Sequence, residues 1–118
     1  MTTTHTPAPW KIGPNDRGDG LSVIATTLRG TAIAVCYGTG RLDNARLIAA
    51  APDMLAALRL HQAWTDSERT GPNYGEQTRD THPNGEEIWR IWWQGNLDLC
   101  DRANSATLAA IAKAEGRT

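Results

Sequence analysis

The chain has 118 residues, of which 40% are hydrophobic and 21% charged, and its formal net charge is −1. This length supports a single domain, 1–118, with a modest core. Near-neutrality disfavours non-specific nucleic-acid binding as the main activity. No run reaches the apolar length that spans a bilayer, and the Thr- and Pro-rich start lacks the basic and apolar regions of a secretory leader.

Residues 1–9 read as a flexible arm carrying a solvated His5. Trp10-Lys-Ile12 has the make-up of a short edge strand, a candidate third strand over about 10–12. Gly13–Gly20 is a turn-rich loop. Its Asn15, Asp16 and Asp19 have neither the spacing nor the distal Glu of a calcium loop. Leu21–Leu28 and Thr31–Tyr37 are rich in β-branched residues and predict a hairpin over about 21–37, with Arg29-Gly30 as its turn. One face of that hairpin must lie on a helix, because an isolated hairpin is marginal in water. Gly38-Thr-Gly40 matches no phosphate-binding glycine motif and reads as a strand-to-helix turn.

Asp43–Leu60 is the most helix-prone stretch. Leu47, Ile48, Ala51, Met54, Leu55 and Leu58 fall at the spacing of one buried helix face, with Asp43 as N-cap. The pattern predicts a helix over about 43–67. Pro52 breaks it into two pieces, with Pro52 opening the second. Asn44-Ala-Arg-Leu-Ile-Ala-Ala-Ala-Pro-Asp-Met-Leu-Ala-Ala-Leu58 resembles a segment of small proteins of tailed bacteriophages and prophages. Ala109-Ala-Ile-Ala-Lys-Ala-Glu-Gly116 is similar to the ending of the same proteins. The resemblance implies a phage origin and expression in the cytoplasm of an infected bacterium. It carries over no catalytic residue, and the insert Thr65–Arg102 departs from the short members.

Beyond His61 and Trp64, residues 71–86 form a long loop, a length that is usually functional or mobile. His61 and His82 are not spaced as metal ligands with each other or with the cysteines. Cys36 and Cys100 are isolated and are expected as reduced, buried thiols. Glu86–Gly95 fits two patterns. Helical spacing groups Ile88, Ile91 and Trp92, while strand spacing sets Ile88/Arg90/Trp92 against Trp89/Ile91/Trp93. The helical reading stops at Gly95 and restarts at Asn96 as the cap of a last helix over about 96–115, antiparallel to the central one.

Chemistry is sparse. No Ser/His/Asp arrangement is present, and Glu86 and Glu87, adjacent on a helix, point apart. No catalytic residue, cofactor or metal is expected, and the chain is not read as an enzyme. Five Trp against no Phe is the distinctive feature. Trp and Arg dominate the energetic centres of protein interfaces. Trp89, Arg90, Trp92 and Trp93, with His82 and Asn84 of the adjoining loop, are therefore the candidate partner-binding residues. Against this, a domain without Phe can fill its core with Trp. Three rings in five residues cannot all point inward, so at least one should be exposed.

The resulting expectation is an α+β fold, a small antiparallel sheet packed against helices about 43–67 and 96–115. The leading function is a phage accessory protein that binds and inhibits a host protein, most concretely an inhibitor of bacterial defence of the anti-CRISPR kind. One alternative is a homo-oligomeric structural or assembly protein, the simplest case being a homodimer. Another is a nucleic-acid binder using Arg41, Arg46, Arg59 and Arg90.

Overall fold

In the computed structural model, which describes residues 5–25 and 32–117, three strands precede three helices. The strands are β1 (Trp10–Pro14), β2 (Leu21–Ala25) and β3 (Ala32–Cys36). The helices are α1 (Arg41–Ala49), α2 (Ala51–Thr70) and α3 (Gly85–Ala114). The chain divides into two compact units. Unit 1 is Met1–Ala56 with Ala106–Thr118, and unit 2 is Ala57–Ser105. The fold is α+β, as the alternation of β-branched and helix-prone runs requires. The expected Arg29-Gly30 turn lies outside the described residues.

In unit 1 the sheet order is β1-β2-β3, antiparallel throughout. Ile12 faces Val23 and Val23 faces Ala34, with a register irregularity between Val23 and Ile24. Period-2 alternation brings Trp10, Ile12, Leu21, Val23 and Cys36 to one face, and α1 covers that face. Val23, Cys36, Ala45 and Ala49 are the buried cluster, with Trp10, Ile12, Leu21, Ile33 and Ile48 packed around it. The sheet thus rests on α1, the first part of the expected helix 43–67.

The start of α1 differs from expectation. The N-cap is Gly40, in the left-handed region at φ 82°, and no side chain caps the helix. Gly38, at φ 78°, completes the turn, and Arg41 N–H donates to its carbonyl at 3.3 Å. Only glycine adopts these angles freely, so the turn ends two residues early. Asp43 becomes a first-turn acid, where it still suits the positive end of the helix dipole.

The break near Pro52 is present. Helix α1 ends at Ala49 and α2 begins at Ala51, so Pro52 is the second residue of α2. Ala50 N–H donates to Arg46 O, and Ala50 O accepts from Met54 N–H at 2.9 Å. A proline at 52 has no N–H for the Ile48 carbonyl and its ring collides with it. The chain therefore bends before the proline rather than at it.

The buried side of this stretch is not the expected one. Leu47, Met54, Leu55 and Leu58 are exposed, while Ala45, Ala49, Ala50 and Ala57 are buried. Small side chains let neighbouring backbone approach closely, so the alanine side faces inward and the leucines are left on the flanks. Later in unit 1, Lys113 Nζ donates to Asp53 Oδ2 at 2.8 Å, tying the end of α3 to the start of α2.

Unit 2 is built from the rest of α2, the loop 71–84 and the first part of α3. Residues 86–95 are helical, and α3 does not stop at Gly95; it runs unbroken for 30 residues. Asn96 is no cap. It is 3% exposed, and its Nδ2 donates to Glu68 Oε1 at 2.9 Å. One helical glycine costs about 1 kcal/mol, less than the packing lost by ending the helix beneath Asn96 and Ala103. No helix among the described residues is long and apolar enough to cross a membrane.

Val23, wholly buried in the sheet face, should cost about 2–3 kcal/mol when changed to Ala. Leu58→Ala, at a side chain 65% exposed, should stay within about 0.5 kcal/mol. Urea midpoints of the two variants test this; equal losses would mean that the alanine side is not the core.

Candidate protein-binding site

The tryptophan-rich run opens α3. Helical spacing stacks Trp89 on Trp93, with ring centroids 5.4 Å apart and planes 9° from parallel. Trp92 meets Trp93 at a tilt, 6.1 Å away. Trp89 and Trp92 are half-buried, and Trp93 remains 38% exposed. The expectation that at least one ring stays outside is met by Trp93. The indole Nε1 of Trp92 is buried and unpaired.

A residue that sequence reasoning missed completes the stack. The guanidinium of Arg79 lies 4.2 Å from the Trp89 ring centroid. Arg79 Nε and Nη2 also donate to the two carboxylate oxygens of Glu86, at 2.9 and 3.0 Å. The order Arg79, Trp89, Trp93 is thus a cation on an aromatic face with a second ring behind it. The backbone turn that places Arg79 depends on Gly85. A Cβ there would lie 1.8 Å from the Arg79 carbonyl oxygen. A glycine at a loop-to-helix junction was the only sequence signal for this contact.

His82 and Asn84 sit on that turn, where Asn84 N–H donates to His82 Nδ1 at 2.9 Å and His82 N–H to Thr78 O at 2.9 Å. With Arg79, Gly85 and Glu87 they line an open polar recess. Arg90 projects elsewhere along the helix surface, paired with the carboxylate of Glu87. The structure therefore gathers Trp89, Trp92 and Trp93 into one cluster. It sets His82 and Asn84 in the adjoining recess and leaves Arg90 in its own ion pair.

These charges act on each other. The Arg79 guanidinium, by hydrogen bonding, holds the Glu86 carboxyl below its ordinary value, and Arg90 does the same to Glu87. Both arginines are raised in turn by the carboxylates they bind.

The other candidate groups fall in both units. Arg41 and Arg46 belong to unit 1, Arg59 and Arg90 to unit 2. Arg46 lies 3.7 Å from Asp43, and Arg90 is neutralised by Glu87. Asn15 and Asp19 are engaged with their own loop: Asn15 Nδ2 donates to Asp19 Oδ1 at 2.7 Å, and Gly20 N–H to Asn15 Oδ1 at 3.1 Å. Among the described residues no group of three or more His, Cys, Asp or Glu is placed to hold a metal ion. Cys36 is buried and Cys100 half-buried; both are free thiols.

Two outcomes test this construction. Gly85→Ala should destabilise the fold by about 1–3 kcal/mol through overpacking and shift the tryptophan emission. An unchanged emission and urea midpoint would separate Gly85 from the stack. The Glu86 pair predicts a pH effect. Its folded-state value is depressed, so its contribution is complete above the ordinary glutamate range and is lost as pH falls through the lower folded value. Tryptophan fluorescence should report that acid step, and Arg79→Gln should abolish it. A step that persists in Arg79→Gln would assign it to another group.

No match is found among curated proteins or among solved structures. The family model described as Salmonella phage P22 protein Y8K6 matches residues 1–118, the full length, in keeping with the resemblance to small phage proteins; the chain belongs to that phage protein family.

Proposed function

We propose that the chain is a non-catalytic phage accessory protein that binds and inhibits a host protein in the cytoplasm of the infected bacterium. In its most concrete form it blocks a bacterial defence system in the manner of an anti-CRISPR protein. One observation carries the reading: Trp93 is exposed yet held by Trp89, which is itself covered by Arg79. An aromatic side chain that is rigid before contact loses little entropy on binding. Trp and Arg are also the residues that most often anchor interfaces. The recess of His82 and Asn84 supplies polar groups at the rim of the same surface. Membership of a phage family supports a host partner over an unrelated one.

A homo-oligomeric structural or assembly protein is a second reading, favoured by the apolar side chains left outside on α2 and α3, among them Leu58, Leu97 and Leu108.

The test begins with capture of partners from the natural host and their identification by mass spectrometry. Affinity for the identified partner is then measured with wild type and Trp93→Ala. Trp93→Ala should remain folded and lose about 2 kcal/mol or more of binding free energy. A folded Trp93→Ala with wild-type affinity would place the interface elsewhere.

A further inference from the structure

Within unit 1, strand alternation turns Ser22 and Ile24 of β2 and Val35 of β3 to the side of the sheet away from α1, with Ser22 directly opposite Val35. With Tyr37 and the loop residues Asp16 and Arg17 they line a recess of about 270 Å3. Ser22 is only 5% exposed although it faces away from the helix. Its hydroxyl has no hydrogen-bond partner among the described residues. Buried hydroxyls are ordinarily bonded, so the floor of the recess offers one polar group to what enters it.

The walls and rim narrow the choice of ligand. The Tyr37 ring closes against Gly20, where a Cβ would lie 2.9 Å from Tyr37 Cδ1. The opposite wall is held by Asn15, whose carboxamide is bonded to Asp19 and to the Gly20 N–H. Asp16 and Arg17 are exposed at the rim, and neither makes an ion pair or a side-chain hydrogen bond among the described residues, with each other or with a third group. One carboxylate and one guanidinium thus stand side by side above a floor of branched apolar side chains. A ligand with only a carboxylate would be repelled by Asp16, and one with only an amine by Arg17. The set fits a molecule that carries both charges on neighbouring atoms and a planar apolar body bearing one polar group.

We infer that the recess binds a free α-amino acid with a phenol or indole side chain. Arg17 takes the α-carboxylate with its forked N–H donors, and Asp16 takes the α-ammonium. The ring lies on Ile24 and Val35 beside the Tyr37 ring, and the phenol O–H or indole N–H donates to Ser22 Oγ. The volume falls at the lower end of small-molecule sites, roughly 300–1,000 Å3, in keeping with a ligand of this size. The inference goes beyond the host-binding reading and does not rest on it, since these residues belong to unit 1 and the tryptophan stack to unit 2.

Titration of the full nitrogen-15-labelled chain, followed by amide chemical shifts, tests this. L-Tyrosine and L-tryptophan at millimolar concentration should each give saturable shifts at Ser22, Ile24 and Tyr37. L-Phenylalanine, with no polar group on its ring, should bind about five-fold more weakly than L-tyrosine, and Ser22→Ala should remove that preference. Arg17→Gln, on an exposed loop, should keep the fold and weaken L-tyrosine binding about ten-fold. Tyramine, which lacks the carboxylate, should bind wild type weakly and lose nothing further in Arg17→Gln. Absence of saturable shifts with both L-tyrosine and L-tryptophan would overturn the inference. So would L-phenylalanine bound as tightly as L-tyrosine, or a folded Arg17→Gln variant with wild-type affinity for L-tyrosine.

Discussion

Pro52 has no N–H to offer the carbonyl of Ile48, and in an unbroken helix its ring would collide with that oxygen. The consequences reach through the fold. The most helix-prone stretch of the chain is divided at Ala50. Its first piece is only nine residues long and touches all three strands. Ala45 and Ala49, one turn apart, press on Val23 and Cys36 at the centre of the sheet face. The second piece, freed from the direction of the first, leads into the helical hairpin of unit 2. One missing donor therefore assigns the same alanine-rich sequence to two different packing tasks.

Backbone preferences made much of this legible in advance. The β-branched runs gave β2 and β3, the aromatic-apolar start gave β1, and proline chemistry located the helix break to within two residues. What sequence pattern could not supply was the inward side. Amphipathic reading weights large apolar residues; of the face it selected, Ile48 packs against the buried cluster, while Leu47, Met54, Leu55 and Leu58 stay exposed. The structure buries Ala45, Ala49, Ala50 and Ala57 instead. Close approach of backbone to backbone favours small side chains in the contact and leaves leucines on its margin.

Gly95 shows the same limit from another side. As a local signal it marks a helix end, and Asn96 after it marks a helix start. Tertiary contact overrides both, since Asn96 is sealed between the helices with its amide on Glu68. Glu68 Oε1 also accepts from Trp64 Nε1 at 3.2 Å, so a single carboxylate oxygen joins α2 to α3. The cluster Trp89, Trp92 and Trp93 was visible as composition; its order was not. Arg79 lies ten residues before Trp89 in an irregular loop, and no periodicity links the two.

The contacts that hold the tryptophan stack are individually weak. The Arg79–Glu86 pair is exposed and screened by solvent, and an aromatic pair contributes about 0.5–1.5 kcal/mol. None would justify leaving an indole in water for the sake of stability alone. Their effect is on position. Glu86 fixes the plane of Arg79, Arg79 lies over Trp89, Trp89 stacks on Trp93, and α3 carries all but Arg79 on one rigid helix. Gly85 keeps the turn tight enough for Arg79 to reach the ring. Each link restricts the rotamers open to the next, which lowers the entropy that ordering Trp93 would cost in any later contact. A side chain that is large, apolar, exposed and stacked on a neighbouring ring differs from a core tryptophan that merely failed to be covered. That difference, more than the count of tryptophans, is what the proposed binding role rests on.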